Sequence, residues 1–156
     1  MEAPLRFDLQ TVPSTLRVTG GREIPFVRAV LLLRNTGGAA ALGVAVHAAL
    51  SEERGLVHDA TEAMKRAAPS DSIPPGGELA WDVYETILAA HPGVASKVYL
   101  WGYKAILNWW IELSARADFR QEGAPAPLQT PVFCWRLRWQ PAGPAVEQVE
   151  LSVEAL

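Results

Sequence analysis

The stretch LLLRNTGGAAALGVAVHAAL, residues 31–50, holds two apolar runs separated by a polar and glycine break at Asn35, Thr36 and Gly37. Such a break is either a buried turn between sheet strands or a glycine-bearing loop where chemistry happens. The flanking runs favour the turn. FVRAVLLL, residues 26–33, is apolar on both faces apart from Arg28, as a central strand covered on both sides should be. In residues 42–51, Val44, Val46, Ala48 and Leu50 share one face, so this segment is the expected partner strand. Asn35 tolerates a left-handed backbone and caps its own turn, and Gly37 and Gly38 are expected to supply positive φ.

The same two-residue period recurs outward from this turn. Leu5, Phe7 and Leu9 alternate with Arg6, Asp8 and Gln10, and Val149, Leu151 and Val153 alternate with Glu150, Ser152 and Glu154. The clearest strand places Trp109, Ile111, Leu113, Ala115, Ala117 and Phe119 on one face, with Trp110, Glu112, Ser114, Arg116, Asp118 and Arg120 on the other. Phe133, Trp135, Leu137 and Trp139 alternate with Cys134, Arg136 and Arg138 until Pro141, which lacks an N–H to give a ladder. In IPPGGELAW, residues 73–81, Pro75 and Gly76 suit the central positions of a type II turn, and Leu79, Trp81 and Val83 begin a new alternation.

Helical signal is confined to two short stretches. In DATEAMKRAAP, Ala60, Ala63, Met64, Ala67 and Ala68 share a helical face, with Asp59 or Thr61 as the cap and Pro69 as the stop. ETILAAHPG allows another helical turn, ended by Pro92 and Gly93. The segment from Gly123 to Pro131 reads as a proline-rich loop between two strands. With no βαβ spacing, the expectation is one all-β domain over residues 1–156, an immunoglobulin-like antiparallel sandwich of about seven to nine strands with one or two short helical turns.

Composition narrows the function classes. The chain has 156 residues, 49% hydrophobic and 20% charged, which is too apolar for disorder and large enough for a core without staples. A net charge of −3 provides no general positive field for nucleic acid. Cys134 is the single cysteine, so neither an internal disulfide nor a cysteine metal quartet is expected. The longest apolar windows, residues 29–33 and 39–46, are too short for a membrane span, and MEAPLRFDLQ has no signal-peptide pattern, which makes a cytoplasmic location the expectation. If the N-terminus has been trimmed, the location is extracellular. Lysine occurs only at 65, 97 and 104, and asparagine only at 35 and 108, a bias that suits a heat-adapted protein or a GC-rich genome.

RNTGGAAALGVAVHAAL followed by IPPGGELAW resembles the immunoglobulin-like sandwich modules of bacteria and archaea, including the CARDB-type adhesion-associated modules, over about residues 26–85. In those modules an NxG turn precedes one strand and an xxPG turn precedes another. The resemblance implies a non-catalytic interaction or spacer role, often in extracellular multidomain proteins.

Candidate chemistry is sparse. His47 alternates with core positions and is expected on the outer face of its strand. His58, Asp59 and Glu62 have the spacing to gather metal-ligand types on one helical turn, although acidic residues there also suit the positive helix N-terminus. No glycine elbow surrounds Ser51, and neither GxGxxG nor a phosphate-binding loop is present, so no enzyme and no cofactor is expected. The six tryptophans are the unusual feature. Trp109 and Trp110 must point to opposite faces of a shared strand, and the outward one could join Trp139 or Tyr103 in an exposed aromatic patch rimmed by Arg28, Arg136 and Arg138. The leading expectation is a protein-interaction or assembly module that binds a protein partner or itself, through an edge strand or that patch. Alternatives are a carbohydrate-binding module that stacks tryptophan on sugar, and a small hydrolase or metal protein built on His58, Asp59 and Glu62.

Overall fold

Asn35 ends one strand and starts the crossing to the opposite sheet. The computed structural model describes residues 4–17, 23–52, 57–68, 70–88, 109–141 and 149–156. Its elements in chain order are β1 (Leu5–Arg17), β2 (Glu23–Asn35), β3 (Ala41–Glu52), β4 (Val57–Asp59), α1 (Thr61–Ala67), β5 (Glu78–Asp82), a π-helical turn (Val83–Leu88), β6 (Trp109–Gln121), β7 (Pro127–Gln129), β8 (Phe133–Pro141) and β9 (Val149–Ala155). The smaller sheet has the order β1-β2-β5, and the larger has β4-β3-β6-β8-β9 with β7 also beside β6. Every pairing is antiparallel. Two such sheets sharing a core make an all-β sandwich. The first, second and fifth strands form one sheet, and the third, fourth, sixth, eighth and ninth, with the seventh, form the other.

The expected pairing of residues 26–33 with 42–51 is therefore corrected. β2 lies between β1 and β5, while β3 lies between β4 and β6. The turn is a corner between sheets, and the reason lies in the hydrogen bonds of Asn35, which is only 2% exposed. Its Nδ2 donates to the carbonyls of Ala39 at 2.8 Å and Ile73 at 2.9 Å, and its Oδ1 accepts the Gly37 N–H at 3.0 Å. Its backbone N–H donates to Gly77 O and its carbonyl accepts the Gly76 N–H, each at 3.0 Å. The residue thus ties its own turn to the proline-glycine turn that precedes β5.

Glycine serves these turns in two ways. Neither Gly37 nor Gly38 has a positive φ, contrary to expectation. Gly37 is required by close approach instead, because a Cβ there would stand 2.7 Å from the Cβ of Pro4. Gly76 does adopt φ 76°, and the Gly77 N–H closes the turn on Pro74 O at 2.9 Å, as the sequence predicts.

The core follows the alternation. Leu5, Phe7, Ala29, Leu31, Leu33, Leu79 and Trp81 from the smaller sheet meet Ala48, Leu50, Ile111, Leu113, Ala115, Ala117, Phe119, Trp135, Leu137 and Leu151 from the larger one in a single buried cluster. α1 closes one side by burying Ala63 and Met64, while Ala67 is exposed. Its cap position is Ala60, and the expected acidic cap acts one residue earlier, with Asp59 Oδ1 accepting the Thr61 N–H at 2.9 Å. The Trp81 indole N–H donates to the Met64 carbonyl at 3.0 Å, which satisfies a helix-terminal acceptor. The predicted proline-rich loop contains β7, and buried Thr130 fastens its end to β6 through paired bonds with Ala117. Pro69, Pro92 and Gly93 lie outside the described residues. Among the described residues, no helix is long and apolar enough to cross a membrane.

Replacing Asn35 with alanine removes three side-chain hydrogen bonds from a buried corner, those to the Ala39 and Ile73 carbonyls and to the Gly37 N–H. The expected loss is about 2–4 kcal/mol of unfolding free energy, against under about 1 for Thr36→Ala at the exposed next position. Urea denaturation of the two variants measures both; a loss at Asn35 no larger than at Thr36 would contradict the assignment.

Candidate functional site

Three regions could carry function, and the first is the outer face of the larger sheet. Trp110 stands there half-buried, as the parity of β6 requires. The Arg136 guanidinium lies over its ring, 4.5 Å from the centroid, and donates from Nη2 to Glu112 Oε1 at 2.9 Å. The hydrogen bond to Glu112 strengthens the hold of Arg136 on its proton. One face of Trp110 is thus occupied by a paired cation. Arg138 is the register partner of Trp110 on β8 and is half-buried. Trp139 pairs in register with Trp109, one position out of step with Trp110 and Arg138. The side chains of Trp109 and Trp139, and all of Tyr103, lie outside the described residues. Trp81 and Trp135 are buried in the core at 2% and 6% exposure.

Arg28 leaves the predicted rim altogether. It belongs to β2 in the other sheet and pairs with Glu85 at 2.9 Å and Asp82 at 3.5 Å, with its Nε donating to Ser14 Oγ at 3.1 Å. Cys134 occupies an ordinary half-buried strand position. Burial, and then the nearby Glu112 carboxylate, push its thiol above the usual range, so it stays protonated at neutral pH.

The second region is the suggested metal triad, and the structure separates it. His58 and Asp59 are successive residues of β4, on opposite faces of a strand, and Glu62 is on α1. Among the described residues no group of three or more His, Cys, Asp or Glu could hold a metal ion. A two-residue strand period replaced the helical one expected for His58 and Asp59. His47 does lie on the outer face, with Nε2 2.9 Å from Asp118 Oδ2, while the Gln129 amide donates to Asp118 Oδ1 at 2.8 Å.

The third region is a cleft of about 540 Å³ at one edge of the sandwich. Its floor is Gly43–His47 of β3; Thr61, Glu62, Met64, Lys65 and Ala68 of the α1 segment form one wall, and Ser70, Asp71, Leu79 and Trp81 the other. The cleft exists because β3 has no continuous neighbour strand on this side. β4 pairs only with Ala49–Ser51. A register shift between Leu42 and Ala45, with Gly43 at φ 59°, bends the strand before it reaches that pairing. The remaining gaps are bridged singly: the Ala60 N–H to Ala48 O at 2.9 Å, the Val44 N–H to Asp71 O at 2.8 Å, and Ala41 with Ile73. Sequence reasoning took residues 42–51 as an unbroken strand and missed the cleft. Glycine within the strand pattern at position 43 was the available signal.

No family model and no curated protein matches the chain. Among solved structures, the X-ray structure of Northeast Structural Genomics Consortium target SoR45 aligns with 84% of this chain and 85% of its own, at 10% identity and a TM-score of 0.42. A likeness at that score assigns nothing to this chain.

The Asp118 site makes a pH prediction. The Gln129 amide, with His47 and Arg116 adding to it, holds the Asp118 carboxyl below its ordinary 3.8 despite some desolvation. A depressed carboxyl stabilises the fold fully above its unfolded value, and that contribution is lost as pH falls through the lower folded value. Since the side chain is 42% exposed, the effect is no more than about 1 kcal/mol. Melting temperatures of wild type and Asp118→Asn should differ most near neutrality and converge below pH 3.8. A gap that widens in acid would contradict the pairing.

Proposed function

We propose that this chain is a non-catalytic protein-interaction module that receives its partner, another protein or a second copy of itself, at the cleft between β3, α1 and β5. The observation that carries this reading is the form of the recess. Val44, Val46, Met64, Leu79 and Trp81 give it an apolar interior, and Glu62, Lys65 and Asp71 supply charged groups at its lining. A dry centre with polar surroundings is how protein interfaces seat their anchor side chains. The volume also lies in the range of about 300–1,000 Å³ over which pockets enclose most of a bound group.

The outer-face tryptophan is the weaker docking surface. Binding on the covered side of Trp110 would have to displace Arg136 from both the ring and Glu112. The cleft needs no such exchange.

Filling the recess tests the reading. Ala68 lines it at the end of α1, half-buried, and Ala68→Trp places a large ring in the opening. Immobilised wild-type chain should retain a protein from an extract of its own cells, or self-associate in light scattering, and Ala68→Trp should lose that association while keeping its circular dichroism spectrum. Association unchanged in Ala68→Trp, or neither capture nor self-association by wild type, would contradict the proposal.

A further inference from the structure

The floor of the cleft has a directional hydrogen-bonding feature at Val46. Val46 is opposite Ala117 of β6 in the register. The Ala117 N–H donates to Thr130 Oγ1 at 2.9 Å, and its carbonyl accepts the Thr130 N–H at 2.9 Å, both on the side away from β3. Val46 and Ala117 are therefore a non-hydrogen-bonded antiparallel pair, in which each residue turns its N–H and C=O away from the other. Those of Val46 point out of the free edge of β3, into the cleft.

The neighbours of Val46 agree. Ala48 and Val44 have the same parity as Val46 and turn their groups to the same edge, where Ala48 O accepts the Ala60 N–H and the Val44 N–H reaches Asp71 O. Ala48 also donates to Thr61 Oγ1 at 3.3 Å. Among the described residues, no bond on this edge reaches Val46. From Val44 to Val46 to Ala48 is about 13 Å of strand, so among the described residues a single one on this edge has no bridge between two that the chain itself has bridged.

We infer that Val46 recognises one residue of an extended peptide, the bridge being formed by that residue's own N–H and C=O, with its apolar side chain entering the cleft. The inference rests on the cleft being the docking site. An extended residue sends its N–H and C=O to the same side, so it can donate to Val46 O and accept from the Val46 N–H together. Directly opposed residues in an antiparallel pair share a sheet face. The side chain of the incoming residue then follows that of Val46, which packs against the core, toward Met64, Leu79 and Trp81. The bridges at Ala48 and Val44 limit the contact to one residue, so the peptide must turn away on either side. The occupant is a protein segment presenting a leucine-like residue in extended form; a purely apolar molecule would leave both Val46 groups unmet.

A minimal probe carries this recognition unit alone. N-acetyl-leucine N-methylamide has the leucine N–H, C=O and side chain; its N-methyl-leucine counterpart keeps the shape and loses the donor. Titrated into the isotopically labelled full-length chain, the first should shift the Val46 amide resonance downfield together with resonances of Met64 and Trp81. The second should bind at least about fivefold more weakly, the worth of one net hydrogen bond. Ala68→Trp should abolish both responses. Equal affinity for the two probes, or shifts at Met64 and Trp81 without Val46, would overturn the peptide bridge and leave the cleft as an apolar docking site. No shift at any cleft residue up to the solubility limit would also overturn it, while protein association blocked by Ala68→Trp would still support the broader reading.

Discussion

The architecture depends on one carboxamide in a nearly dry corner. Asn35 is the residue type that this corner requires, because its side chain offers two N–H donors and an acceptor on one short stem. The donors meet two carbonyls, of Ala39 and Ile73, and the acceptor meets the Gly37 N–H. Aspartate at the same position would face those carbonyls with an oxygen, and leucine would remove all three bonds, leaving the Ala39 carbonyl and the Gly37 N–H without the partner Asn35 gives them and the Ile73 carbonyl with the Ala41 N–H alone. Because Ile73 belongs to the turn before β5 and Ala39 to the approach into β3, the same side chain sets where the chain departs β2 and where it returns. Around that fixed corner, alternation fills the space between the sheets with Leu31, Leu33, Leu79 and Trp81 on one side and Leu50, Leu113 and Ala117 on the other.

The cleft follows from how the corner delivers β3. The strand begins at Ala41, paired with Ile73, then bulges at Gly43 before it joins the full ladder with β6. One edge of β3 is continuous, and the other is completed piecemeal by an isolated bridge, a loop carbonyl, the start of α1 and the three residues of β4. An edge assembled this way leaves its polar groups open where the pieces fail to meet, and one such place is Val46. A sandwich edge of this kind combines backbone recognition with an apolar interior, the pairing used by strand-addition sites. The surface ion pairs contribute little to this. Those of Arg34 with Asp8 and Glu78 are between partly exposed side chains and are worth little individually, and they decorate the outer face of the smaller sheet.

Much of the fold was legible in the sequence, because the two-residue period reports which side chains are dry. The run from Ile111 to Phe119 is buried at every second residue, and Leu79, Trp81 and Val83 are as dry as their alternation requires. The Pro75–Gly76 turn was legible from φ preferences alone. Sheet partnership was not. A glycine-rich break between two apolar runs serves a hairpin and a corner equally well, and the difference lies in the bond from Asn35 to Ile73, 38 positions along the chain. β7 was hidden because Pro127 and its neighbours carry loop chemistry, while its pairing with β6 is a backbone property. At the site, the outward placement of Trp110 and His47 could be read from parity. The cation over Trp110, the separation of His58 from Glu62 and the recess beneath α1 are products of packing between distant segments, which periodicity does not encode.

Native-state amide hydrogen exchange is the most direct test of this account, because it reads the corner and the open edge at once. The N–H groups of Asn35, Gly37 and Gly76 should exchange as slowly as those of the central strands, opening only with global unfolding, while the Val46 N–H should exchange far faster than its immediate neighbours in the ladder. Rapid exchange at Asn35, Gly37 and Gly76 would mean that the corner does not lock the sheets. Slow exchange at Val46 would mean that the edge facing the cleft is already filled.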